Sequence, residues 1–145
     1  MEVAQRMKIF LAAPLFSEAE RDFNSKLAKA LRGEGFEVWL AQEHKFIHGK
    51  SIEEKRSIFE EDLDALRKSD LMLALLDGVD VDSGVAFEMG FAHALEKPMI
   101  GLRTDHRVFS KLESVNLMIE APLTRICKSL DEALEQLQAS SHRGK

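Results

Sequence analysis

A chain of 145 residues with 45% hydrophobic and 31% charged residues buries a core and is globular rather than disordered. Its formal net charge of -5 at pH 7 excludes the basic footprint of a nucleic-acid binder and the polybasic segment that engages an anionic membrane. One cysteine, Cys127, excludes an intramolecular disulfide and makes a cytoplasmic setting the simplest expectation.

The chain is expected to form one domain spanning 1–145, with polar, frayed ends at 1–6 and 140–145. The start, Met1 to Arg6, has no apolar signal core, and no apolar run approaches the roughly 20 residues needed to cross a bilayer. Met7 to Ala13 is a short apolar run stopped by Pro14, which predicts a buried strand. Ser17-Glu18-Ala19-Glu20 is a capping box that starts a helix. Phe23, Leu27 and Leu31 recur along it at helical spacing, and Gly33 and Gly35 end it. Phe36 to Leu40 predicts a second strand, followed by a polar loop from Ala41 to Lys50. Ser51-Ile52-Glu53-Glu54 is a second capping box, and Phe59, Leu63 and Leu66 predict the apolar face of its helix.

Leu71 to Leu76 is a continuous apolar run, as expected of a central strand buried on both faces. The loop Asp77 to Gly84 follows, then a helix from Val85 to about Glu96, broken by Lys97-Pro98. Met99 to Leu102 predicts a fourth strand. Thr104 to Pro122 predicts a loop and a short helix, Leu123 to Cys127 a fifth strand, and Ser129 caps a last helix. Strands alternating with helices predict an α/β fold, a flavodoxin-like doubly wound sheet of five parallel strands with helices on both faces. Ligands then sit at the carboxyl ends of the strands, beside Pro14 to Phe16, Asp77 to Gly84 and Arg103 to Phe109.

Glu88 is the residue that does not fit its surroundings. It is the one acidic residue in GVAFEMGFAHAL, Gly84 to Leu95, and shares a helix face with Val85 and Ala92. Burying an unpaired carboxylate is costly, so Glu88 either turns outward to a partner or forms an active-site floor. Asp77, Asp80 and Asp82 crowd the loop before it. Asp77 and Asp80 read as a solvated acidic turn, while Asp82, beside the small Ser83 and Gly84, is better placed to reach a ligand. The EF-hand pattern fails, because its bidentate glutamate position counted from Asp80 is Phe91. Asp62 borders the apolar stripe of its helix.

Other motifs carry little. His48-Gly49-Lys50-Ser51 resembles the end of a phosphate-binding loop, but its earlier glycine would fall at His44. His44 and His48 read as surface residues, Cys127 as a buried inert thiol, and Met72, Met89, Met99 and Met118 as core.

Several segments together resemble the nucleoside 2-deoxyribosyltransferase family, from Lys8 to about Leu137. KIFLAAPLF resembles the family's opening strand and substrate loop. DSGVAFEMGFA, Asp82 to Ala92, is similar to the signature around its nucleophilic glutamate, and EEDLDALRKSDLMLAL to the segment carrying its base-side aspartate. Val115-Asn116-Leu117-Met118 resembles a segment that a neighbouring subunit inserts into the active site. The resemblance implies that Glu88 is the nucleophile and that Asp62 lies near the nucleobase. It places Asp82, with Gly84 beside it, at the sugar's 5′-hydroxyl end, together with Asn116 from a second copy. Phe16 and Gln42 are implied on the base side. Phe10 stands where the family often has a tyrosine that orients the glutamate, and this chain has no tyrosine.

The implied reaction is transfer of a 2-deoxyribosyl group between nucleobases. Ionised Glu88 attacks C1′, Asp62 is the acid for the departing base, and hydrolysis is the side reaction. The implied substrates are 2′-deoxynucleosides and free nucleobases, handled by a homodimer or higher homo-oligomer without metal or organic cofactor. The alternative is a 2′-deoxynucleoside 5′-monophosphate N-glycosidase. A binding module that senses a nucleotide without turning it over is a third reading, kept open by Phe10.

Overall fold

The computed structural model describes residues 4–44 and 51–142. The phosphate-loop-like stretch around His48 lies outside them. Five strands form one parallel sheet in the order β2-β1-β3-β4-β5. They are β1 Lys8–Ala12, β2 Glu37–Leu40, β3 Leu71–Leu75, β4 Met99–Leu102 and β5 Arg125–Cys127. This is the expected doubly wound order, and the strand order reverses direction beside β1.

The helices are α1 Glu18–Gly33, α2 Ile52–Lys68, α3 Ser83–Ala94, α4 Leu117–Glu120 and α5 Leu130–His142. Capping boxes at Ser17 and Ser51 start α1 and α2, each serine oxygen accepting the backbone N–H three residues on. The α1 helix leads into Gly35, whose φ of 94° is a left-handed turn that glycine adopts freely. Residues 140–142, expected to fray, form the end of α5, where the Ser140 and Ser141 hydroxyls donate to backbone carbonyls one turn back.

Alternating residues of the strands feed two cores. On one face Ile9, Leu11, Leu73 and Ile100 pack with Leu27 and Leu31 of α1 and Ala133 and Leu137 of α5. On the other, Phe10, Met72, Ala74 and Met99 pack with Leu66 of α2 and Val85, Met89 and Ala92 of α3. The β3 strand is buried along its whole length, as its unbroken apolar run requires. The second face matters for function, because it stands α2 and α3 side by side at the carboxyl ends of β1 and β3.

Several local expectations change. The α3 helix starts at Ser83, earlier than Val85, because Asp82 supplies the cap. Phe59 is exposed, leaning on Phe87 with ring centroids 5.7 Å apart rather than entering the core. Met118 is also exposed, since α4 is too short to bury both sides. Asp77 is a clamp and not a solvated turn. It accepts the Thr104 and Asp105 backbone N–H groups and the Thr104 hydroxyl, tying the loop after β3 to the loop after β4. No helix among the described residues is long and apolar enough to cross a membrane.

Candidate active site

Asp82 sets the first turn of α3. Its Oδ2 accepts from Gly84 N at 2.9 Å and Val85 N at 3.1 Å. A Cβ at position 84 would meet that oxygen at 3.0 Å, so glycine lets the carboxylate close onto the helix start. Val85, Met89 and Ala92 are buried in the core, while half-buried Glu88 lines the pocket with Asp62 of α2.

These two carboxyls share a hydrogen bond, in which protonated Glu88 donates to Asp62. Burial pushes the Glu88 carboxyl up to about 9, helped by the negative charges of Asp62 and Asp82 and by that bond. Burial also raises Asp62, but two donors resist the rise: the Trp39 indole N–H, 3.1 Å from Oδ1, and Glu88 itself. Burial therefore favours a protonated Glu88 more strongly than a protonated Asp62. Glu88 is the more deeply desolvated of the two and feels the negative charges of both Asp62 and Asp82.

The pair forms part of the wall of a pocket of about 390 Å³. Leu11, Ala13, Leu15 and Phe16 come from β1 and its loop, and Trp39, Ala41, Gln42 and His44 from the end of β2. The α2 helix adds Lys55, Ile58, Phe59 and Glu61 beside Asp62, and α3 contributes Asp82, Gly84 and Glu88. Such a pocket offers flat apolar surfaces to a ring and two hydrogen-bonded carboxyls. Among the described residues, no cluster of three or more His, Cys, Asp or Glu is arranged to hold a metal ion.

The sequence matches the model of the nucleoside 2-deoxyribosyltransferase family over residues 9–135. The chain belongs to this family. Solved structures agree in fold. A conserved protein from Enterococcus faecalis V583 superposes with a TM-score of 0.80 at 28% identity, over 94% of this chain and 99% of that one. A 2-deoxyribosyltransferase from Bacillus psychrosaccharolyticus gives 0.76 at 27% identity, over 88% and 90%. A CMP N-glycosidase from Clostridium botulinum gives 0.60 at 24% identity, over 90% and 98%, a likeness of fold alone. A comparison with curated protein sequences gave no match.

For this member of the deoxyribosyltransferase family, the structure gathers Glu88, Asp62, Asp82, Gly84, Phe16 and Gln42 around one pocket. The Gln42 amide, however, is already engaged. Its oxygen accepts from buried Asn24, and its nitrogen donates to Arg21 O and Ser25 Oγ. Gln42 thus ties β2 to α1 and lines the pocket without a free amide group. Asn24 also donates to Pro14 O at 2.8 Å, so one buried residue fixes two pocket loops. Phe10 and Asn116 are not on this wall. Phe10 is 1% exposed in the core beneath it, and Asn116 caps α4 by accepting from Met118 N.

Trp39 and Asn24 were not expected at this pocket, and His44 and Phe59 were expected on the surface and on the apolar face of their helix. Trp39 and His44 stack with ring centroids 3.7 Å apart. The chain's lone tryptophan, at the carboxyl end of a strand facing the switch point, was the available signal. Nothing local marked Asn24, whose value comes from the loops it meets.

Proposed function

We propose that this chain transfers the 2-deoxyribosyl group between nucleobases through a covalent ester on Glu88, with hydrolysis as a side reaction. The observation that carries this reading is the proton-sharing Glu88–Asp62 pair in an apolar pocket of a chain of this family. A bound base presents a ring nitrogen near Asp62, which favours the protonated, donating form of that carboxyl. The shared proton then passes from Glu88 to Asp62. This one transfer makes Glu88 a nucleophile and Asp62 an acid.

The Glu88 oxygen bonds to C1′ as the C1′–N bond breaks, and the departing base takes the Asp62 proton. An incoming base attacks C1′ from the vacated side and gives its proton to Asp62, and Glu88 leaves as a carboxylate. Water in place of the base gives hydrolysis. Phe16, Phe59 and the Trp39–His44 stack are the surfaces for the base. Asp82 would repel a 5′-phosphate dianion, which favours nucleosides over monophosphates. We also place Asn116 of a second copy at the open sugar end, in a homo-oligomer.

Incubating thymidine or deoxyinosine with free adenine tests the reaction. The expected product is deoxyadenosine, with free deoxyribose as a minor product. Deoxyribose alone, or a strong preference for the monophosphate, would replace this reading with the N-glycosidase.

A further inference from the structure

We infer that Trp39 is a positioning residue for the carboxyl pair, its indole N–H holding Asp62 within hydrogen-bonding reach of Glu88. The contact is a 3.1 Å bond from Nε1 to Asp62 Oδ1, made from β2 to α2 across the pocket wall. Trp39 stands opposite Phe10 in the parallel register, on the same face of the sheet. Phe10 has no polar atom to offer the pair, and the chain has no tyrosine. The indole therefore supplies a donor that the neighbouring strand lacks. His44 lies flat against the indole at an interplanar angle of 12°, which fixes the plane in which the N–H points.

The donor's chemistry matters. An indole N–H donates and never accepts. It holds one Asp62 oxygen in either protonation state, which favours the other oxygen for any proton that Asp62 receives. Trp39 thereby keeps Asp62 the anion in the resting pair and directs the proton it later carries. Glu61, Asp82 and His44 also act on the pair through their charges, and Lys55 lies on the same wall, but none of them donates a hydrogen bond to Asp62 among the described residues. For its kinetic consequence, this role rests on the proposed reaction.

Trp39 is the chain's one tryptophan, so growth on benzothienylalanine replaces this N–H alone with sulfur and keeps the bicyclic ring. Trp39→Phe is the second variant, and thermal melts establish that both are folded. Carbon-13 signals of the Asp62 and Glu88 carboxyls, read at about pH 7 without substrate, report where the shared proton sits. Loss of the N–H should move occupancy from Glu88 toward Asp62. In the proposed reaction kcat should fall about tenfold to a hundredfold with KM little changed, because Asp62 without its donor is no longer held in line and is a weaker acid toward the departing base. Unchanged carboxyl signals in folded protein would overturn the role, as would a raised KM with unchanged kcat. If the signals move while the parent protein catalyses neither transfer nor hydrolysis, Trp39 keeps its role and the proposed reaction falls.

Discussion

Between the usual glutamate value of 4.5 and about 9, folding makes Glu88 take up a proton that the unfolded chain releases. The native state then binds more protons than the unfolded state, so stability falls as pH rises through this window. The contribution of protonated Glu88 is fully present below about 4.5 and is lost by the time pH has passed about 9. Glu88→Gln keeps the shape and the donor but has nothing to ionise. It should melt above the parent protein, by about 3 °C or more near pH 8, with a gap that widens from pH 5 to pH 9. Circular dichroism melts across that range check this, and a pH-independent gap would contradict it. The sequence pointed to Glu88 through its apolar neighbours, but not to the direction of its charge. That direction comes first from burial and then from Asp62 arriving on α2, which no spacing within α3 encodes.

At the scale of elements, capping serines and broken apolar runs were legible because they act within a few residues. Ser17, Ser51 and Ser129 each accept the backbone N–H three residues on, where the sequence placed them. Phe59 and Met118 misled, because an apolar side chain at a rim looks like a core residue until the neighbouring element is placed. The α4 helix poses the same question for assembly. Asn116 caps it, and Leu117 and Met118 lie exposed beside the cap. If α4 reaches a neighbour's pocket, Asn116→Ala should lose about 1 kcal/mol of cap stability and nearly all activity. Mixing it with Glu88→Ala under conditions of subunit exchange should then restore part of the activity. A two-fold contact would rebuild one intact site in each mixed dimer. Confirmed exchange without recovery would leave Asn116 as a cap alone.

At the scale of the whole molecule, the doubly wound order followed from alternating patterns and from the double burial of β3. The site's location followed from that order, since pockets form where the strand order reverses. What the pattern could not supply were contacts between distant segments: Trp39 to Asp62, Asn24 to Gln42, and Asp77 to the loop after β4. These fix the pocket's walls, whereas the family resemblance named residues for it of which Phe10 and Asn116 do not line it. The proposed reaction requires Glu88 to form a bond to the sugar C1′. Intact-mass spectrometry after incubation with a slow 2-fluoro-substituted deoxynucleoside tests it most directly. The parent protein should gain the mass of one sugar per chain, mapping to the peptide that contains Glu88, and folded Glu88→Ala should gain none. An adduct on another residue, or a folded Glu88→Ala protein that turns substrate over at the parental rate, would contradict it.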